Sequence, residues 1–106
     1  MLDKLRTLTG GNEERIQYYI SLYIDVIPDY CSNISASIKE KELAALQQNI
    51  HACKSLFSTM GFDDLHKEAH QIETDILNKS NLESIFQRAE SLNDRVNETI
   101  DLLKKI

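Results

Sequence analysis

The 106-residue chain has no tryptophan, one proline and only three glycines. An all-β protein of this size needs a turn roughly every ten residues, so the scarcity of turn formers leaves helix as the regular structure the sequence can sustain. No apolar run approaches the roughly 20 residues that span a bilayer. The opening MLDKLRTLTG lacks the apolar core of a secretion signal. No membrane partner is expected, and a cytoplasmic location is. Basic clusters are missing too: the net charge is −5, and Lys and Arg stand singly apart from Lys104-Lys105, which complement a helix C-terminus. Phosphate-backbone binding draws on clustered cations, so nucleic acid is not an expected partner. The two cysteines form no C-x-x-C pair. Cys31 and Cys53 fall on apolar helical positions and read as buried, reduced thiols. With nothing pointing to secretion, the N-x-[ST] triplets at Asn33, Asn78 and Asn97 are read as chance.

What is present, 42% hydrophobic and 27% charged residues, is the balance of a folded globular chain, and the length suits one domain over residues 1–106. Leu2, Leu5 and Leu8 predict a short N-terminal helix packed on the body, ended by Gly10-Gly11. Asn12 is a good N-cap, with Glu13 and Glu14 in the first turn, where the helix dipole favours acids. Ile16, Tyr19, Ile20, Tyr23, Ile24 and Ile27 form a helical stripe that resumes after Pro28 with Cys31, Ile34 and Ile38. Proline removes a backbone donor and disfavours α geometry before it, which predicts one bent helix or two nearly coaxial ones. Lys39 to Glu42 makes the next connection. Leu46, Ile50, Cys53, Phe57 and Met60 mark a helix over Leu43–Met60 that Gly61 ends. Phe62, Leu65, Ala69, Ile72 and Ile76 mark the next. After a turn at Lys79-Ser80-Asn81, the last helix carries Leu82, Ile85, Ala89, Leu92, Val96, Ile100 and Leu103. Short links favour antiparallel neighbours, so the predicted fold is all-α: an up-and-down four-helix bundle with a short N-terminal helix and a Pro-kinked first long helix.

The Leu43–Gly61 helix has a second face made of Ala44, Gln47, Gln48, His51, Lys54, Ser55 and Ser58. His51 is expected on its exposed side, with Lys54 and Ser55 one turn onward. Ala44, Ser55 and Ser58 are short and leave the imidazole clear for a partner. A neutral imidazole nitrogen can take a phosphoryl group covalently, and one nearby ammonium stabilises the charge that arrives. Lys54 is also expected to favour the uncharged ring by like-charge repulsion.

These residues carry a family resemblance. The string from His51 through Lys54 to Gly61 resembles the H-x-x-K-G signature of histidine-containing phosphotransfer (HPt) domains, with its glycine ten residues after the histidine. Gly61, Leu65, Ala69, Ile72 and Glu73 match the G-x-x-x-L-x-x-x-A-x-x-[LI]-E continuation. One departure is Ser55, where the family has glycine; its hydroxyl is expected to bear on rate or partner range.

The resemblance implies a phosphorelay carrier with no catalytic machinery of its own. His51 would accept a phosphoryl group from a receiver-domain aspartate and pass it to another receiver, with Lys54 steadying the group. Partners would be response-regulator receivers or a hybrid sensor histidine kinase, and Mg²⁺ would come with the receiver, so neither bound metal nor cofactor is expected. Docking would use Gln47 and Gln48 and, on the neighbouring helix, Tyr18, Leu22 and Asp25. A monomer is expected, with one face reserved for transient partners. The alternative is a non-catalytic receiver-docking module of the same fold, for which retention of both His51 and Lys54 has no purpose.

Other groupings carry less. His66 and His70 are spaced i, i+4, but H-K-E-A-H is not H-E-x-x-H, and a third ligand is missing. Glu73 and Asp64 are expected to make at most helix-surface pairs. Tyr18, Tyr19, Tyr23 and Tyr30 suit core or rim packing with the hydroxyl reaching solvent.

Overall fold

The computed structural model describes residues 2–106, all of whose regular structure is helical. Five helices follow in order: α1 (Asp3–Leu8), α2 (Glu13–Lys39), α3 (Leu43–Thr59), α4 (Asp63–Leu77) and α5 (Leu82–Lys104). The four long helices pack in a ring: α3 lies between α2 and α4, and α5 closes it against α4 and α2. The result is an up-and-down bundle about 43 Å long.

Each apolar stripe meets the others in one core containing Ile16, Tyr23, Ile27, Leu46, Ile50, Phe57, Ile72, Ile85 and Leu103. Fully burying a side chain of this size contributes about 1.5–3 kcal/mol, so the core rather than helix propensity holds the helices together. Tyr23 packs edge-on against Phe57 and Phe62, and its hydroxyl shares a 2.7 Å hydrogen bond with Thr99 of α5. Burial pushes its phenol well above the ordinary value, against the opposing effect of that bond.

The connections share one device. α1, α2, α3 and α4 all end with the same pair of reversed hydrogen bonds, such as Gly61 N–H to the Ser58 carbonyl and Phe62 N–H to the Phe57 carbonyl. That pattern needs a left-handed residue after the cap. Gly10 (φ +64°) and Gly61 (φ +83°) supply it at two ends, but Lys41 (φ +58°) and Lys79 (φ +55°) supply it at the others. At the helix starts, Asn12 accepts from the Arg15 N–H and Asn81 from the Ser84 N–H, both at 3.1 Å.

Two sequence expectations need correcting. Leu8 is 60% exposed rather than packed, and Thr9 is buried in its place, its hydroxyl donating to the Leu5 carbonyl. Leu82 is likewise exposed. At Pro28 the first of the two predicted arrangements is found: α2 runs through the proline as one helix. Lys4 ties α1 down, donating to Ser58 Oγ at 3.1 Å and Asp63 Oδ1 at 3.2 Å. No described helix is long and apolar enough to cross a membrane.

Candidate functional site

α3 turns its apolar stripe inward through Leu46, Ile50, Cys53, Phe57 and Met60, all buried. The 100° step between residues then carries His51 out of the core and toward α4. Its side chain is 64% exposed. Beneath it stands Glu73 of α4, whose side chain is only 10% exposed. Glu73 Oε1 lies 2.7 Å from His51 Nδ1, and its Oε2 accepts from Lys54 Nζ at 2.8 Å. Gln47 Nε2 reaches Oε1 at 3.4 Å, and Lys54 Nζ also meets His70 Nδ1 at 3.3 Å.

Burial alone pushes the Glu73 carboxyl up, but hydrogen bonds from Lys54 and His51, joined by their charges, outweigh it and hold the group below its usual value. An ionised carboxylate only accepts. The 2.7 Å contact therefore requires a proton on Nδ1, and in the neutral ring this leaves the lone pair on Nε2. Lys54, whose side chain is 17% exposed, is bonded to the same carboxylate that holds the ring.

The site residues named from the sequence are distributed as follows. Ala44, Gln48 and Ser55 are exposed on α3, whereas Gln47, Lys54 and Ser58 are half-buried. Ser58 receives the Lys4 bond described above. Gly61 adopts the left-handed conformation that ends α3. On α2, Tyr18 and Asp25 are exposed and Leu22 is half-buried. The contact of Tyr23 with Phe57 sets the antiparallel register, so His51 is level with about Asp29. Asp25 then lies about 6 Å, and Tyr18 about 16 Å, along the axis from that level. His70 is exposed and joins the site through Lys54, while His66 is half-buried. Among the described residues no group of three His, Cys, Asp or Glu side chains is arranged to hold a metal ion.

Glu73 is the residue sequence reasoning misjudged: it is a buried partner of both His51 and Lys54, not a surface pair. Its signal was its position. Leu65, Ala69 and Glu73 form an i, i+4, i+8 row on the buried face, and a carboxylate there needs a counter-charge.

Asp75, by contrast, serves the scaffold. It receives a 2.6 Å bond from Arg88 of α5, and that bond first, with a lesser one from Gln71, holds its carboxyl low against the opposing effect of burial.

Residues 19–105 match the family model of the Hpt domain. No curated protein and no solved structure matches the chain.

Proposed function

The chain belongs to the Hpt domain family, whose members are phosphotransfer modules of two-component signalling that meet receiver domains and carry phosphoryl groups rather than catalyse reactions; on that premise we propose that it is a phosphorelay carrier acting through Nε2 of His51. The observation that carries this reading is the 2.7 Å contact between Nδ1 and the buried Glu73 carboxylate, which leaves the outward nitrogen with the lone pair.

The transfer balances as follows. Nε2 attacks the phosphorus of a receiver's aspartyl phosphate, the N–P bond forms and the P–O bond to the aspartate breaks. The electron pair of that bond returns to the receiver's carboxylate. The Nδ1 proton stays between the ring and Glu73, which stabilises the positive charge the ring acquires. The same proton serves the return step. With Nδ1 protonated, the ring leaves phosphorus as neutral imidazole rather than as an anion, so the group passes on to a second receiver. Lys54, 2.8 Å from Glu73 and 3.3 Å from His70, has one further N–H donor for the phosphoryl oxygens. Ala44, Ser55 and Ser58 keep the approach to Nε2 low, and Mg²⁺ is supplied by the receiver's acidic pocket. Gln47, Gln48, Tyr18, Leu22 and Asp25 are candidates for the docking rim.

The test is to incubate the protein with a phosphorylated receiver and Mg²⁺ and to look for acid-labile, base-stable label. The label is expected on the wild type and absent from His51→Gln. Label that persists in that variant overturns the assignment. Receiver binding without transfer under any condition would make the protein a docking module instead.

A further inference from the structure

α2 and α5 meet along the side of the bundle opposite the α3–α4 groove that holds His51. Ser35, Ile38 and Lys39 of α2 and Glu90, Asn93 and Asp94 of α5 line a cleft there of about 320 Å³. Asn93 is the buried residue of this lining, 8% exposed, and its Nδ2 donates to the Cys31 carbonyl at 3.1 Å. Its Oδ1 is buried and accepts from no group among the described residues. Flipping the amide gives no relief, because that sets Oδ1 against the Cys31 carbonyl, one acceptor facing another. The Cys31 bond therefore keeps Oδ1 turned away from the α2 backbone and into the cleft that Asn93 lines. A buried acceptor left unpaired is costly, so the floor of the cleft calls for a donor.

The walls favour a cationic donor. Glu90, Asn93 and Asp94 stand at i, i+3 and i+4, so their acceptors share one face of α5. Neither carboxylate belongs to an ion pair among the described residues. The arginines of α5 are turned to the other flank: Arg88 is bonded to Asp75 of α4, and Arg95 lines a separate cleft with Asp63 and Asp64. Lys39 lies in the last turn of α2, where the helix dipole favours an ammonium at the terminal carbonyls. A guanidinium carries five N–H donors in a planar fork, enough to serve both carboxylates and to reach Oδ1. It is more weakly hydrated than an ammonium and gives up less on entering a cleft. Ile38 and the Lys39 stem offer apolar surface to the arginine methylenes. A magnesium ion needs near-octahedral oxygen ligands, which three side chains rising from one face of one helix do not form.

We infer that the α2–α5 cleft is a docking site for an arginine side chain carried by a partner protein, with its guanidinium held between Glu90 and Asp94 and donating to Asn93 Oδ1. A chain-borne arginine fits better than the free amino acid. The backbone N–H groups of 35–39 and 90–94 are spent inside α2 and α5, which leaves an α-carboxylate only Lys39. The cleft lies behind the phosphoacceptor helix at nearly its level, since Cys31 is about 3 Å along the axis from the Asp29 level of His51. The bundle measures 21 × 17 Å in cross-section, so its thickness separates the two surfaces. An arginine-bearing partner on the back and another protein at His51 can be held together, and the back surface is independent of what His51 carries.

The experiment is an NMR titration of the ¹⁵N-labelled whole chain with N-acetyl-arginine amide at about 50 mM salt. Saturable shifts are expected for the Asn93 side-chain amide and for the backbone amides of 35–39 and 90–94, with Kd about 1 mM. Glu90→Gln/Asp94→Asn, at two exposed positions, should weaken binding about tenfold. Glu14→Gln/Asp64→Asn, which removes the same charge elsewhere, should leave Kd within about twofold. N-acetyl-lysine amide should bind at least about fivefold more weakly. An unmoved Asn93 side chain, a lysine probe that binds as well, or a cleft variant that binds like wild type reduces the effect to surface charge and overturns the inference. So does the absence of any saturable shift. Free arginine bound more than about tenfold tighter than the capped form overturns the assignment to a partner protein.

Discussion

Replacing Glu73 by glutamine isolates the carboxylate that joins the two halves of the site. The side chains are nearly isosteric, so packing among Ala69, Ile72 and Ile76 is retained and the loss is electrical. Wild-type Glu73 offers two ionised oxygens, one 2.7 Å from His51 Nδ1 and one 2.8 Å from Lys54 Nζ. A hydrogen bond to a charged group contributes about 1.5–3 kcal/mol, and a neutral one about 1 kcal/mol. The difference at the ring, about 0.5–2 kcal/mol, corresponds to about 2- to 30-fold in rate. The upper end is favoured because Lys54 competes for the single amide oxygen. When it wins, the amide NH₂ faces Nδ1, the ring proton moves to Nε2 and the nucleophilic lone pair is lost. Single-turnover transfer from a phosphorylated receiver reads the rate, and ¹⁵N chemical shifts of the His51 ring read the tautomer. A Glu73→Gln protein that transfers within twofold of wild type, with Nδ1 still protonated, refutes the role given to Glu73.

Three further outcomes are expected. Lys79→Gly relieves a left-handed lysine (φ +55°) at the end of α4 and should stabilise the fold by about 0.5–1 kcal/mol in denaturant melts; no change would mean that the turn carries no strain. Burial pushes Cys31 up to about 11 and Cys53, with Cys31 adding to the effect, up to about 12, so neither should react with a thiol reagent at about pH 8 until the protein is unfolded. Glu73 is held below its unfolded value of 4.5, so its contribution is complete above that value and is lost as pH falls through the folded one. Wild-type stability should therefore fall more steeply than that of Glu73→Gln below about pH 4.5, as measured by denaturant midpoints across acid pH.

The helices were legible because their signals are local. Stripes at steps of three and four, the Asn12 cap and Gly61 at the end of α3 each depend on a few adjacent residues, and the structure carries all of them. The misjudged positions depend on something further away. Leu8 continues the Leu2–Leu5 spacing, yet the chain turns at Gly10-Gly11 before any partner reaches it. Lys41 and Lys79 lie in the connections read from the sequence, but their left-handed conformation is imposed by the cap geometry of α2 and α4. Half of the site lay on one helix and could be read along it. The other half, Glu73, is 22 residues from His51 in the chain, and only the α3–α4 packing brings its oxygen to 2.7 Å.

The difference in burial between the two halves explains how an exposed histidine is held without being enclosed. An ion pair between two exposed side chains contributes about 0–1 kcal/mol, because water competes for both ends. Here one end is buried: Glu73 is 10% exposed while the His51 ring is 64% exposed. The bond therefore orients the ring from below and leaves Nε2 to solvent and partner. A buried carboxylate without a counter-charge would be costly, and Lys54, itself 17% exposed, supplies one at 2.8 Å. On the carrier role proposed above, Lys54 would act in both states of the protein. Without the phosphoryl group it makes Glu73 tolerable in the bundle. With a phosphoryl group on His51, as proposed, its one remaining donor would face new negative charge while the Glu73 bond persists. Lys54→Ala consequently strips the counter-charge from a buried acid as well as a contact from the phosphoryl group. Its loss should lower stability in the unphosphorylated protein, whereas the loss of a lysine serving only the phosphoryl group would leave that stability unchanged.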